Sequence, residues 1–180
     1  MADPRIRPLL RTRQTREFTD EPVGEAELAA LADVGRWSGS SENKQPWRFI
    51  VVRDLSTIRQ IAEAGMPMTS SLKTAIAAIA IAMPDEPSRA ISHAYDEGRA
   101  GERILIGAYM LGLAAGIAWV KADAREAVGK LLGLPADRRV RTVVAIGHPT
   151  EGARPPRSAA GMARRPRDEV VYEERWPRPR

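Results

Sequence analysis

The chain has 180 residues and a net charge of +5, with 43% hydrophobic and 28% charged residues. This composition excludes disordered, collagen-like and coiled-coil proteins, and it leaves room for one domain with a buried core. Because the sequence has no cysteine, it also excludes disulfide scaffolds, thiolate nucleophiles and cysteine-held metal clusters.

Positive charge is concentrated at the two ends of the sequence. Residues 1–18 carry five arginines against two acids, and residues 151–180 carry eight arginines against five acids. This distribution suits a discrete anionic ligand at least as well as a nucleic-acid groove. Aromatic residues make up only 5% of the chain, too few for the stacking platforms of single-strand binding, so we expect no nucleic-acid partner.

Helices and strands alternate along the chain. In chain order the predicted helices cover residues 25–36, 54–64, 88–115 and 123–132, and the predicted strands cover residues 48–52, 76–83, 117–120 and 140–146. The first strand is compatible with burial on both faces, and the long helix could be broken near Gly98 and Gly101. The order indicates a single layered domain of the α+β or α/β class over residues 1–180.

Two further segments need an interpretation. Residues 104–120 form an uncharged stretch at the short limit for a membrane span, which we interpret as a buried helix that runs into a strand. No secretion signal begins the sequence, so we expect a soluble cytoplasmic protein with no membrane partner. Residues 150–180 are rich in proline and arginine and cannot bury themselves, so we expect this tail to lie across another surface.

Four segments carry groups that could bind a ligand: a cluster of three arginines in residues 11–18, a hydroxyl- and amide-rich loop in residues 38–47, small residues in 111–117 and an arginine pair in 161–166. Guanidinium groups bind phosphate bidentately, and hydroxyls can complete the shell. The first three segments also have an interpretation without a ligand. The arginines of residues 11–18 could simply be solvated, residues 38–47 could be an ordinary polar loop, and the small residues 111–117 could serve tight helix–strand packing.

Recognisable catalytic side chains are missing. The sequence has no dinucleotide fingerprint, phosphate loop, serine elbow, HExxH motif or paired-carboxylate signature. We interpret His93 as a surface residue of a helix and His148 as a turn residue. Anion-binding patches without a catalytic residue or a metal site suggest that a bound cofactor does the chemistry.

Together, and in order, these segments resemble the nitroreductase family of FMN-dependent oxidoreductases. Residues 12–18 (TRQTREF) are similar to the family's R-[RT]-S-x-[RK]-x-F, residues 38–49 (SGSSENKQPWRF) to A-P-S-x-x-N-x-Q-P-W-x-F, residues 111–114 to L-G-L-G, residues 147–149 to G-x-P, and residues 164–170 with Arg175 and Trp176 to the family's ending. The resemblance covers nearly the whole chain.

The resemblance implies an α+β fold of the nitroreductase type, with a central, mostly antiparallel sheet flanked by helices. It also implies an intertwined homodimer with two FMN sites at the subunit interface. In such a dimer the tail of residues 150–180 would wrap around the partner subunit. The cofactor-binding residues that it implies are Thr12, Arg13, Gln14, Arg16, Ser40, Ser41, Asn43, Ala115, Gly116, Arg164 and Arg165.

Each of these groups has an implied role. Arg13, Gln14 and Arg16 would hold the FMN phosphate and ribityl chain, and the arginine pair of the tail would reach the same phosphate. The loop serine and asparagine side chains would approach the flavin from the partner subunit. The backbone at Ala115 and Gly116 would lie near the reactive nitrogen of the ring.

By the same resemblance, the protein transfers a hydride from NADH or NADPH through FMN to a nitroaromatic, a quinone or a similar acceptor in a shallow site. The alternatives are a relative with different flavin chemistry (a flavin destructase, a dehalogenase or a deazaflavin-linked reductase) and a non-catalytic flavin-binding protein. Four positions depart from the family pattern: Gln14 replaces a serine, Thr12 an arginine, Gly39 a proline and Ala114 a glycine.

Overall fold

A four-stranded antiparallel sheet forms the centre of the computed structural model, which describes residues 3–153 and 164–176. The strands are β1 (Arg48–Val52), β2 (Ala77–Pro84), β3 (Ala114–Trp119) and β4 (Arg138–Gly147), in the spatial order β1-β2-β4-β3. The helices are α1 (Arg7–Arg11), α2 (Glu25–Arg36), α3 (Leu55–Ala64), α4 (Ala90–Met110) and α5 (Arg125–Leu131). The expected α+β class with an antiparallel sheet is confirmed.

Two helical layers cover the two faces of the sheet. Successive residues of a strand point to opposite faces, so β2 contributes to two separate cores. Ala78 and Ala80 pack in the cluster that contains α3 and α5, whereas Ile79 and Ile81 pack in the cluster that contains α2 and α4. Every residue of β2 before Pro84 is buried, as predicted for a central strand.

Several local signals have the predicted effect. Helix α2 begins and ends as predicted, and Asp54 caps α3 by accepting hydrogen bonds from the backbone N–H groups of Ser56 and Thr57. The hydrogen bond from the Thr57 hydroxyl is the main cause that lowers the pKa of Asp54 below its ordinary value. Gly133, with φ of +63°, follows the end of α5 as a left-handed residue.

The predicted end of α4 is wrong. The helix stops at Met110 instead of Ala115, because Gly112 takes φ of +76° and the Leu113 N–H donates to Ala108 O at 2.8 Å. These two features form a Schellman ending, which only glycine adopts at no steric cost. Residues 114–116 therefore belong to β3, and α4 runs unbroken through Gly98 and Gly101.

Two interpretations of burial are also wrong. Strand β1 lies at an edge of the sheet and is only partly covered, because no further strand pairs with its outer side among the described residues. His93 is buried on the inner side of α4, not exposed on its surface.

The uncharged stretch of residues 104–120 is divided between α4 and β3, as predicted for a buried helix that runs into a strand. Across the described ranges, no helix combines the length and the apolar character that a membrane crossing needs.

The described part of the C-terminal tail, residues 164–176, is exposed throughout. Its hydrogen bonds include those from Val171 N to Arg167 O (2.8 Å) and from the Tyr172 hydroxyl to Glu169 O (2.6 Å), both within the segment. The Tyr172 ring packs edge-on against Trp176 with 4.9 Å between centroids. Residues 161–163 of the fourth predicted segment lie outside the described residues.

Candidate functional site

The segment after α1 is fixed against the outer edge of β3. Thr15 N donates to Ala115 O at 2.8 Å, and the Ile117 N–H donates to the side-chain Oε1 of Gln14 at 3.2 Å. Gly116 permits this approach, because a Cβ on it would stand 2.0 Å from Thr15 O. Two of the predicted segments therefore share a region of the fold: the arginine cluster of residues 11–18 and the small residues 111–117, which end α4 and begin β3.

A cavity of about 260 Å³ opens where these segments meet. Its lining includes Arg11, Arg13, Tyr109, Gly112 and Ala115, so two guanidinium-bearing residues stand beside an aromatic ring and exposed backbone. Nothing lies within 4 Å of the point that a Cβ of Gly112 would occupy, which leaves the backbone open there.

The rest of the cavity wall is apolar. Leu105, Leu113 and Pro149 complete one side, and no acidic side chain lines the cavity. Two cationic side chains among mostly apolar lining residues suit a ligand that joins a phosphate or carboxylate to a flat apolar body. The volume of the cavity falls below the roughly 300–1,000 Å³ of typical ligand pockets.

Some of the predicted residues point elsewhere. The Thr12 hydroxyl donates to Pro8 O at 2.8 Å, which turns it back onto α1. Arg16, Arg164 and Arg165 are exposed and do not line the cavity. Of the predicted contacts, Arg13 and Ala115 line the cavity, and Gln14 and Gly116 belong to the backbone junction beside it.

The predicted serine-rich loop is held by a buried carboxylate. Asp96 of α4 is 2% exposed, and its two oxygens accept the Ser41 N–H at 3.0 and 3.2 Å. The Ser40 hydroxyl accepts the Gln45 N–H at 2.9 Å, and the side chain of Asn43 accepts a hydrogen bond from the Gln45 amide at 3.1 Å.

The backbone of this loop is strained, so its anchors matter. Glu42, Asn43 and Gln45 all have φ near +50°, a region that side chains other than glycine seldom adopt. Arg103 donates to Trp37 O at 2.8 Å, and Arg138 donates to Pro46 O at 2.9 Å, which fixes the two ends of the loop.

Within one chain the serine-rich loop lies far from the β3 cavity. The loop leads into β1 at Arg48, which lies level with Val140 of β4 through its pairing with Ala82 of β2. The β3 cavity lies at Ala114, which pairs with Gly147 of β4. These positions are about 23 Å apart along β4 and about 14 Å apart across the sheet, at roughly 3.3 Å per residue and 4.8 Å per strand.

A second, larger cavity of about 590 Å³ lies beside the serine-rich loop at the N-terminal part of α4. Ser41, Arg89, Tyr95 and Arg99 are among the residues that line it. Glu42, at its rim, is paired with Lys44 at 2.8 Å, and this pair, followed by the charge of Arg89, lowers the pKa of the Glu42 carboxyl.

The structure adds lining residues that the motifs did not identify. Arg11 stands in the arginine cluster and Pro149 in the G-x-P motif, but neither was among the implied contacts, and Tyr109 and Leu105 carry no motif of their own. The available signal for Tyr109 is its place one helical turn before Gly112, the glycine that ends α4.

Comparison with known proteins agrees with this geometry. Residues 9–80 match the sequence profile of the Nitroreductase family. A protein of Archaeoglobus fulgidus, whose name joins NADH dehydrogenase with NAD(P)H nitroreductase, is 30% identical over 148 residues, which are 77% of this chain and 82% of that protein. The chain belongs to the nitroreductase family.

Two solved structures share the nitroreductase fold of this chain. A Desulfovibrio desulfuricans protein assigned as a nitroreductase and solved in complex with FMN superimposes with a TM-score of 0.76 at 24% identity, over 98% of this chain and 100% of that one. An FMN-dependent nitroreductase of Clostridium difficile gives a TM-score of 0.81 at 20% identity, over 94% of this chain and 98% of the other.

Proposed function

We propose that this member of the nitroreductase family is an FMN-dependent oxidoreductase that passes a hydride from NADH or NADPH to a nitroaromatic, a quinone or a similar small acceptor. The observation that carries the proposal is the β3 cavity, where Arg11 and Arg13 stand beside an apolar wall and open backbone. The FMN in the Desulfovibrio desulfuricans structure and the names of the relatives support it.

The residues of the cavity fit FMN in their chemistry. The ligand has a phosphate dianion at one end, which the guanidiniums of Arg11 and Arg13 would hold by charge-assisted hydrogen bonds. Its flat ring needs an apolar wall and close backbone, and Leu105, Tyr109 and Gly112 offer both.

This chain would position the reactants, and no side chain is assigned as an acid or base. FMN, when bound, supplies the hydride chemistry, since it accepts two electrons from a nicotinamide and donates them to an acceptor. The cavity residues would orient the ring, and the apolar wall would keep water from one of its faces.

The site would be completed by a second copy of the chain. The serine-rich loop, with Ser40, Ser41 and Asn43, leads into β1 about 27 Å from the start of β3 in its own chain, a separation that favours contact with the cavity of a partner. In a two-fold dimer each loop would meet the opposite cavity, which gives two equivalent sites.

Exposed apolar residues support the homodimer. On α4, Ile91 is 78% exposed and Tyr95 69%, and they lie one turn apart on the same side of the helix. Val170, Val171 and Trp176 of the tail are exposed as well. Such residues gain free energy by being covered, so we infer that α4 and the tail of residues 150–180 contact the partner subunit.

The test is to purify the protein and record its flavin absorption. We expect a yellow protein whose flavin bands bleach when NADH or NADPH is added without oxygen. Added FMN at 100 times its Kd should stabilise the apoprotein by about 2.7 kcal/mol. A protein that stays colourless and gains no thermal stability from FMN would refute the proposal.

A further inference from the structure

The cavity beside the serine-rich loop has a volume of about 590 Å³, enough for a ligand the size of a nitroaromatic or a nicotinamide. It lies around the first turns of α4, where Ile91 and Tyr95 form apolar walls. Under the proposed function this loop approaches the flavin of the partner, so the cavity would open beside the place where donor and acceptor exchange.

Two arginines and two carboxylates line this cavity, and one of the arginines has no close acidic partner. Arg89 has no carboxylate within 4 Å and no side-chain hydrogen bond among the described residues, and Arg99 stands 3.9 Å from the buried Asp96. Glu42 is already paired with Lys44. Lys44 therefore neutralises Glu42 from outside the cavity lining and Arg99 faces Asp96, so Arg89 is the arginine of the lining without a close acidic partner.

Other donors point to the same chemistry. The buried Ser92 hydroxyl lines the cavity and has no hydrogen-bond partner among the described residues, whereas the Ser88 hydroxyl already donates to Glu86 at 3.2 Å. Helix α4 begins here without a side-chain cap, and its dipole adds positive potential, although the Ala90 N–H already donates to Pro87 O in the preceding 3-10 turn. Hydroxyls, guanidiniums and a helix N-terminus together favour an anionic group next to an aromatic wall.

We propose that Arg89 and Arg99 select a ligand with an anionic substituent, either a carboxylate on the aromatic acceptor or the 2′-phosphate of NADPH. The inference rests on the proposed function and extends it to the class of ligand that the site prefers. The two sources share one chemistry, an oxyanion held by guanidinium, and they can be separated by experiment.

The acceptor arm compares 4-nitrobenzoate with 4-nitrobenzamide, which have nearly the same shape and differ in charge. In one of the two arms, we expect the natural chain to have a kcat/KM about three- to ten-fold higher for the ligand that carries the additional anionic group, as is usual for partly exposed charges. The donor arm compares NADPH with NADH in the same way. If the arginines select the anionic acceptor, the ratio of kcat/KM for 4-nitrobenzoate to that for 4-nitrobenzamide should fall to about one in the double variant Arg89→Gln, Arg99→Gln. If they select the donor, the ratio for NADPH to NADH should fall to about one instead.

The matched control is Arg53→Gln, which removes the same charge from an exposed arginine that pairs with Glu25 and does not line this cavity. Its ratios should equal those of the natural chain. High salt should lower the ratio in the natural chain and leave the double variant unaffected, because screening acts on the charge alone.

Each outcome is decisive. If the double variant lowers the kcat/KM ratio of 4-nitrobenzoate to 4-nitrobenzamide, the arginines bind the carboxylate of the acceptor. If it lowers the ratio of NADPH to NADH, they bind the 2′-phosphate of the donor. Equal ratios in the natural chain and the double variant refute the inference and leave the proposed function intact. Failure to reduce both nitro compounds and a simple quinone with either donor refutes the proposed function and this inference with it.

Discussion

Arg11 and Arg13 are the cationic residues that line the β3 cavity, and they can be tested against a neighbour that does not. Arg13→Ala and Arg11→Ala should each weaken FMN binding by about 1–3 kcal/mol, because each removes a charge-assisted contact to phosphate. Arg16→Ala should cost less, since Arg16 is exposed and does not line the cavity. Titration of the apoprotein with FMN measures all three affinities.

Equal losses of FMN affinity for Arg13→Ala and Arg16→Ala would show that the phosphate lies outside this cavity. It would then lie between Arg13 and Arg16, as the family resemblance implies. Unchanged affinity in all three variants would show that the N-terminal segment does not hold the cofactor.

Asp96 is the buried anchor of the serine-rich loop, and its replacement should lower both the stability of the protein and its affinity for FMN. Asp96→Ala leaves the Ser41 N–H without its acceptor beneath a backbone with three residues near φ of +50°. We expect a loss of about 1.5–3 kcal/mol in unfolding free energy, the value of a hydrogen bond to a charged group. Urea denaturation measures the loss.

Asp96→Asn is the conservative comparison, because an amide oxygen can still accept the Ser41 N–H. It should recover part of the stability. If the loop contacts the flavin, FMN affinity should follow the same order, with the natural chain highest and Asp96→Ala lowest. Equal stability of the alanine and asparagine variants would contradict the anchoring role.

The junction between the N-terminal segment and β3 depends on one glycine. In Gly116→Ala the new Cβ would stand 2.0 Å from Thr15 O, so the two segments must separate and the 2.8 Å bond from Thr15 N to Ala115 O must break. We expect a loss of about 1–3 kcal/mol in unfolding free energy, with weaker FMN binding because the cavity wall moves. Thermal unfolding with and without FMN measures both.

Gly129→Ala in α5 is the control for glycine replacement as such. Its Cβ would meet Leu134 at an ordinary 3.8 Å, so the helix should gain about 0.5–1 kcal/mol. Equal effects of the two substitutions would show that the approach at Gly116 is not what stabilises this junction.

Local signals predicted most elements, and the exceptions have identifiable causes. Helix α2 and strand β2 follow from hydrophobic periodicity and from an unbroken apolar run. The end of α4 was misplaced because Gly112, Ala114 and Ala115 are all small, and periodicity does not show which one takes the left-handed conformation. The edge position of β1 was missed because a strand's neighbours are decided by the rest of the sheet.

The assembled protein should be a homodimer, because the two halves of the proposed site lie at opposite ends of α4 and at opposite edges of the sheet. Ile91 and Tyr109 are about 27 Å apart along the helix, at 1.5 Å per residue. Sedimentation should give about twice the chain mass of 19.8 kDa. Truncation after Ala153 should weaken the dimer and FMN binding together, since it removes the exposed Val170, Val171 and Trp176.

A monomer that binds FMN tightly would refute both the shared site and the role assigned to the tail. A dimer that survives the truncation with full FMN affinity would refute the role of the tail alone, and with it any contact of Arg164 or Arg165 with the phosphate.

The amino-acid sequence by itself determined the class of fold, the positions of most helices and strands, and the family, because periodicity, caps and ordered motifs are local properties of the chain. It also marked the arginine cluster and the serine-rich loop as functional candidates. Only the tertiary structure decided that Arg11 and Arg13 share a cavity with Tyr109, that Asp96 anchors the loop, and that β1 and β3 begin about 27 Å apart. Those facts depend on strand order and register, which arise from packing between residues distant in sequence.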